Sequence, residues 1–291
     1  MNSEGLQIFS IYYSKKNLYH HKSLQTNTII PIQTGYDITK VDLNIMKDNS
    51  GDNISKYNNY FGELTCWYYI WKNYLPHHPE IKYIGFTQYR RILGLFKDPK
   101  LNKRDINDGY FISVTKREFI KLINSDFKLD EDVNIILPYQ CILNTSLGER
   151  IRVRNHDGIG NDIYFDKIIK SLIKTGIAKE EIEDYFKQKQ VYYKCNFVMK
   201  TEIFNDFMKW LFNFFDILEK ELTNKEKTPR CFAYIAEIVI GLFFNRIKCN
   251  RGGVTHVYLY EARFYTKFIK DDYKRLIKNL RIKYMKRKFC S

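Results

Sequence analysis

Apolar runs of strand length alternate with amphipathic stretches of helix length over the first 140 residues, and this alternation constrains the fold more than any other feature. The strand-like runs are Leu6 to Tyr13 (LQIFSIYY), Thr28 to Gln33 (TIIPIQ), Lys82 to Thr87 (KYIGFT) and Asn134 to Pro138 (NIILP). Helix-like patterns lie between them, notably Asn58 to Tyr74 and Lys116 to Ile123. Strands separated by helices run in the same direction, so the pattern predicts an α/β chain with an open, mostly parallel sheet covered by helices. Ligands of such a sheet bind at the carboxyl ends of its strands.

After the polar stretch Asn144 to Asp162 the helices lengthen. Phe204, Phe207, Met208, Leu211, Phe215, Leu218 and Leu222 fall at steps of three and four, which predicts a helix with one buried face. Val191 to Lys200 and Thr255 to Glu261 are two later strands that complete the sheet, so residues 1–262 read as one domain. Thr223 to Pro229 (TNKEKTP) reads as a surface loop, and there is no internal repeat. A hydrophobic content of 44% over 291 residues supports a sizeable core and excludes disorder as the main description.

The net charge of +15 suggests nucleic acid until its position is considered. Residues 263–291 hold 11 Lys and Arg against Asp271 and Asp272, and so carry nine of the fifteen net charges. There Tyr273, Leu276, Ile277, Leu280 and Tyr284 recur at helical spacing, with the cations on other faces. Residues 263–291 therefore read as a basic amphipathic helix, suited either to an anionic membrane surface or to packing on the chain's own body. No zinc finger, RRM consensus or helix-turn-helix pattern supports a nucleic-acid partner, and none is expected. The six cysteines are scattered without a CxxC pair, which favours a reducing compartment. The start MNSEGLQIFSIYYSKK lacks a signal-peptide pattern, and no run approaches the length of a membrane span. The expected location is cytoplasmic, peripheral to the inner face of the cytoplasmic membrane if the tail binds lipid.

Three polar constellations stand out. The octet Asp48 to Ser55 (DNSGDNIS) precedes the helix Asn58 to Tyr74, and is either a capped loop or a set of carboxylates converging on a polar ligand. Lys82 to Arg91 (KYIGFTQYRR) is an apolar strand running into two arginines, whose guanidinium forks match phosphate oxygens or simply face solvent. Arg230 to Glu237 (RCFAYIAE) sets Glu237 in an apolar neighbourhood that would suit a general base, unless it is paired with Arg230 or Arg246. His156, Asp157 and Asp162 lie on a further polar loop without Walker or dinucleotide spacing. Aromatics make up 16% of the chain; most belong to the core, and a few could stack on a base or sugar ring.

Together, DNSGDNISKYNNYFGELTCWYYIWKN (Asp48 to Asn73) and YIGFTQYRRIL (Tyr83 to Leu93) resemble the paired signature of the bacterial capsular and exopolysaccharide biosynthesis glycosyltransferases, formerly a domain of unknown function. That family reads D-x-x-G-D-N-I-S, E-L-T, W-K-N and Y-I-G-L-x-H-Y-R-R. IPIQTGY (Ile30 to Tyr36), KCNFVMKTEIF (Lys194 to Phe204) and PRCFAYIAE (Pro229 to Glu237) extend the likeness over nearly the whole chain.

The resemblance implies a GT-A-like, Rossmann-type enzyme that moves a sugar from a nucleotide-sugar donor, a UDP-sugar, to a glycan or lipid-linked glycan. It also implies an inverting mechanism and galactofuranosyltransferase relatives. Carried onto this chain, Ser14, Lys15, Gln33, Asp48, Asp52, Asn53, Ser55, Glu63, Tyr89, Arg90 and Arg91 become donor-site residues. Glu237 becomes the base, and His156 and Asp157 become acceptor contacts. Gln88 replaces the family's His, Tyr13-Ser14-Lys15 replaces a common His-Lys pair, and no Asp-x-Asp follows Ile84-Gly85-Phe86. Arg90 and Arg91 are an alternative source of charge for the diphosphate, and the need for a divalent metal stays open. The rival reading is a non-catalytic glycan- or nucleotide-binding protein.

Overall fold

The computed structural model describes residues 5–18, 28–39, 41–89, 91–95, 106–107, 111–123, 129, 133–153, 162–192, 195–257 and 259–262. β1 (Leu6–Tyr12), α1 (Lys15–Leu18), β2 (Ile29–Gln33), α2 (Tyr36–Thr39) and β3 (Met46–Lys47) come first. α3 (Asn58–Phe61), α4 (Leu64–Tyr69) and a π-helical turn (Ile70–Tyr74) lead into β4 (Tyr83–Gln88). β5 (Arg91–Leu93), β6 (Ile106–Asn107), β7 (Phe111–Val114), α5 (Lys116–Ile123), β8 (Ile135–Pro138) and β9 (Cys141–Ile142) follow. The second half supplies α6 (Leu147–Val153), α7 (Asp162–Lys174), α8 (Lys179–Lys187), β10 (Gln190–Val191) and β11 (Phe197–Lys200). α9 (Thr201–Glu221), α10 (Cys231–Arg251), β12 (Val254–Val257) and β13 (Leu259–Ala262) complete the described chain.

Seven strands form the main sheet in the order β12-β8-β11-β4-β1-β2-β3. The pairs β1/β2, β1/β4, β2/β3 and β8/β12 are parallel, and β11 alone among these strands runs against its neighbours β4 and β8. The sheet is therefore mostly parallel, as its alternation with helices predicts. Register places Tyr12 beside Gln33 and Ile11 beside Gln88, so β1, β2 and β4 end on one edge. Gly85 lets β11 approach β4 closely: a Cβ there would lie 2.5 Å from Val198 Cγ2.

Helices flank the sheet through an aromatic core. The Trp67 ring lies 5.0 Å from Phe197 and 5.4 Å from Phe86, and all three are buried. α9 buries Phe204, Phe207, Met208, Leu211, Phe215 and Leu218, the face that its spacing marks. Each such side chain contributes about 2 kcal/mol by leaving water. α10 is buried around most of its circumference, and among the described residues no helix is long and apolar enough to cross a membrane.

Four boundaries differ from the sequence pattern, each through tertiary pairing or local capping. Val191 to Lys200 divides, because β10 pairs with β9 while β11 enters the main sheet. Thr255 to Glu261 divides likewise between β12 and β13, the latter lying in a smaller sheet of order β5-β13-β7-β6. The polar stretch after Asn144 contains α6, started by a capping box in which Glu149 accepts from Ser146 N at 2.9 Å and Glu149 N donates to Ser146 Oγ at 3.3 Å. The helix Asn58 to Tyr74 breaks at Gly62, whose φ of 53° suits glycine. The basic segment 263–291 lies outside the described residues.

Candidate active site

The loop after β2 is organised from beneath by a buried carboxylate. Asp48, fully shielded from solvent, accepts from Gly35 N at 2.7 Å, Tyr36 N at 3.2 Å, Ser55 Oγ at 2.7 Å and Thr65 Oγ1 at 2.5 Å. A buried charge is tolerated only when partnered in this way. Gln33 is equally buried, donating to Val41 O at 2.6 Å and accepting from Leu43 N at 3.1 Å. Ser55 also accepts from Asp37 N. Gln33, Asp48 and Ser55, assigned to the donor by resemblance, thus spend their polar atoms on the protein interior and act as supports.

Above this support, the carboxyl ends of β1, β2 and β4 open into a cleft of about 600 Å³, walled on another side by the start of α10. Four side chains in it form a hydrogen-bonded row. Arg230 Nη2 donates to Glu63 Oε2 at 3.0 Å, Gln88 Nε2 donates to Glu63 Oε1 at 3.1 Å, and Arg91 Nη1 donates to Gln88 Oε1 at 2.6 Å. Glu63 is 8% exposed, so the row carries its charge into a partly desolvated place. Burial opposes the charge of Arg230, but Glu63, Tyr234 and Glu237 outweigh it and hold the guanidinium protonated.

Local structure explains how Arg230 arrives there. Its backbone is left-handed, φ 63°, a conformation that costs a non-glycine residue about 1 kcal/mol. Bonds from Arg230 N to Asn59 O at 2.6 Å and from Tyr234 N to Arg230 O at 3.0 Å hold it. Arg230, Tyr234 and Glu237 then share one side of the start of α10, at helical spacing, and all three line the cleft. Opposite them, Tyr89 packs on Tyr13 edge-to-face with ring centroids 5.8 Å apart.

Of the residues the sequence singles out, Glu63, Tyr89, Arg91 and Glu237 meet in this cleft. Asp52 does not line it: it is exposed and accepts from Tyr68 OH at 3.1 and 3.3 Å on another side of the loop. Asn53 is spent within the loop, on Gly51 O and Ser55 N. Ser14 and Lys15 follow Tyr13 but are not part of the lining. Arg90, His156 and Asp157 lie outside the described residues. Arg246 pairs with Glu181 at 3.5 Å, and the direct ion pair of Arg230 is with Glu63. Arg230 and Gln88 are the two members of the hydrogen-bonded row that the sequence pattern does not assign to the site. A spacing of seven between Arg230 and Glu237 is the signal that could have added the arginine.

Glu63, Cys195 and Glu237 place two carboxylate oxygens and a thiol within 4.8 Å of one another, the one such group among the described residues. Carboxylates suit hard divalent ions and a thiolate suits zinc. An ion there would share Glu63 with Arg230 and Gln88, so it would compete with the Arg230 guanidinium for the charge of that carboxylate.

Residues 12–248 match the protein family described as a domain of unknown function, DUF4422. No curated protein matches the chain. Among solved structures, the apo structure of the bifunctional glycosyltransferase WbbM aligns with a TM-score of 0.70 at 21% identity, covering 89% of this chain and 45% of that one. The chain thus spans less than half the length of that protein. Its mostly parallel seven-stranded sheet with flanking helices matches the GT-A-like fold of a glycosyltransferase.

Proposed function

Since the chain belongs to the DUF4422 family and gathers two carboxylates and two guanidinium groups at the carboxyl edge of its sheet, we propose that it is a glycosyltransferase. The donor is a nucleotide sugar, a UDP-sugar, and the acceptor a glycan or lipid-linked glycan in cell-surface polysaccharide synthesis. By the family resemblance the sugar is a hexose, with galactofuranose the first to test. Residues 263–291 would hold the enzyme against the inner face of the cytoplasmic membrane.

One observation carries the reading: Glu237 from α10 and Arg230, which caps its start, share a single cleft with Tyr89, just past β4, and Arg91, the first residue of β5. In the proposed reaction the Glu237 carboxylate takes the proton of an acceptor hydroxyl as its oxygen attacks the anomeric carbon. The bond from that carbon to the diphosphate oxygen breaks, its electron pair leaves with the nucleoside diphosphate, and configuration inverts. Arg91 and Arg230 stabilise the departing charge, and the neighbouring Arg90 is assigned the same role by resemblance. Positioning and preorganised charge do most of the work. Should a divalent cation take part, Glu63 and Glu237 are the oxygen ligands it would use.

The deciding experiment is donor hydrolysis without acceptor. Slow release of free nucleotide from a UDP-sugar supports a transferase, whereas binding with no release marks a non-catalytic protein. NMR assignment of the product's anomeric configuration then decides between inversion and retention. A thermal-shift screen over nucleotide sugars would select the donor, because a ligand of the native state raises apparent stability.

A further inference from the structure

A second cleft, of about 650 Å³, shares a wall with the first. The wall is α3: Asn58 and Asn59 line the first cleft, Tyr60 and Phe61 the second. α10 serves both in the same way, giving Arg230, Tyr234 and Glu237 to one and Phe232 to the other.

The chemistry of the second cleft is different. Phe212 is its hub, with Tyr68 at 4.9 Å, Phe61 stacked at 6.0 Å and Trp71 stacked at 6.2 Å between ring centroids. Around these rings stand Asn213, Asp216, Lys209 and Lys72, with Lys72 Nζ 4.0 Å from the Trp71 ring centroid. Lys227 and Glu219 neutralise each other at 2.8 Å. Tyr68 carries Asp52 on its hydroxyl, which puts the most exposed acid of the sequence signature beside this cleft.

Such a lining discriminates among occupants. A nucleoside diphosphate is recognised by guanidinium forks, and among the described residues no arginine lines this cleft. The core of a protein interface is depleted of charge, whereas charged groups stand among these rings. A sugar ring offers an apolar C–H face to an aromatic ring and a hydroxyl edge to amide, carboxylate and ammonium groups, and the volume is that of an ordinary ligand site. We propose that the second cleft binds neutral saccharide units of a glycan chain. Its role as a hold on acceptor units remote from the reacting hydroxyl rests on the transferase reading; the binding of sugar does not.

The test uses the full chain and three probes, a galacto-oligosaccharide, maltohexaose and chitohexaose, with titration calorimetry and tryptophan emission as readouts. Saturable binding of at least one probe is expected, weakened about tenfold by Trp71→Ala. Because Trp71 also packs against Phe212, the exposed pair Lys209→Ala with Asn213→Ala is the second variant, with the same expected loss. Glu237→Gln should leave oligosaccharide binding unchanged, and both groove variants should leave UDP binding unchanged. Absence of saturable binding to all three probes overturns the proposal, as does binding that ignores both groove variants or is lost with Glu237→Gln. A dimer that dissociates on Trp71→Ala would also overturn it by assigning the cleft to a protein contact. If UDP-sugars neither bind nor turn over while a probe still binds through Trp71, the transferase reading fails and the saccharide groove stands.

Discussion

Arg230 and Glu63, 167 residues apart in sequence, meet at 3.0 Å and join the start of α10 to the junction between α3 and α4. The pair is asymmetric: half of the arginine side chain is exposed, while that of the glutamate is 9% exposed. Solvent screening at the exposed end keeps the stability contribution small, so the value of the contact is positional.

Arg230→Ala should therefore cost only about 1 kcal/mol in urea unfolding while weakening UDP binding about tenfold or more. Arg230→Lys keeps the charge without the fork and should recover part of the affinity. Calorimetry showing equal UDP affinity in all three proteins would remove this guanidinium from the donor site.

Glu237→Gln preserves shape and removes the proton acceptor. Turnover should fall about a hundredfold or more, the usual contribution of a positioned general base, with donor affinity held. Steady-state kinetics that split kcat from KM check this, and unchanged kcat would dismiss Glu237 as the base.

Asp48→Ala should act on folding. It strands two backbone N–H groups and two hydroxyls and should cost about 3 kcal/mol in denaturant unfolding. UDP affinity per folded molecule should be retained. A variant of normal stability with lost affinity would return Asp48 to the donor site.

Acid should loosen the loop before α10. Lys167 at 2.6 Å, followed by the Thr223 backbone, depresses the Glu226 carboxyl from 4.5 to about 2. A carboxylate whose folded pKa is lowered stabilises the fold above its unfolded pKa and loses that contribution as pH falls. Unfolding free energy should thus decline between pH 4.5 and about 2. Lys167→Met should make the decline shallower, and an identical slope in wild type and variant would remove the pair as its cause.

Leu6 to Tyr13 and Lys82 to Thr87 were readable as short apolar runs, buried on both faces of a covered sheet, and the α9 face by its steps of three and four, because each is a local property of the chain. The capping box Ser146 to Glu149 was readable in principle for the same reason. The division of Val191 to Lys200 was not, since two apolar runs look alike whichever sheet accepts them.

The same limit governs the site. Amino-acid order alone established an α/β chain with a mostly parallel sheet, a ligand edge at its strand ends, and the two polar signatures from which a glycosyltransferase resemblance follows. Only the tertiary structure decided that Asp48 is covered and saturated, that Asp52 stands outside the first cleft on the Tyr68 hydroxyl, and that Arg230 rather than a neighbour in sequence reaches Glu63. A carboxylate's role depends on what lies over it and which donors reach it, and those partners come from segments brought together only when the chain folds.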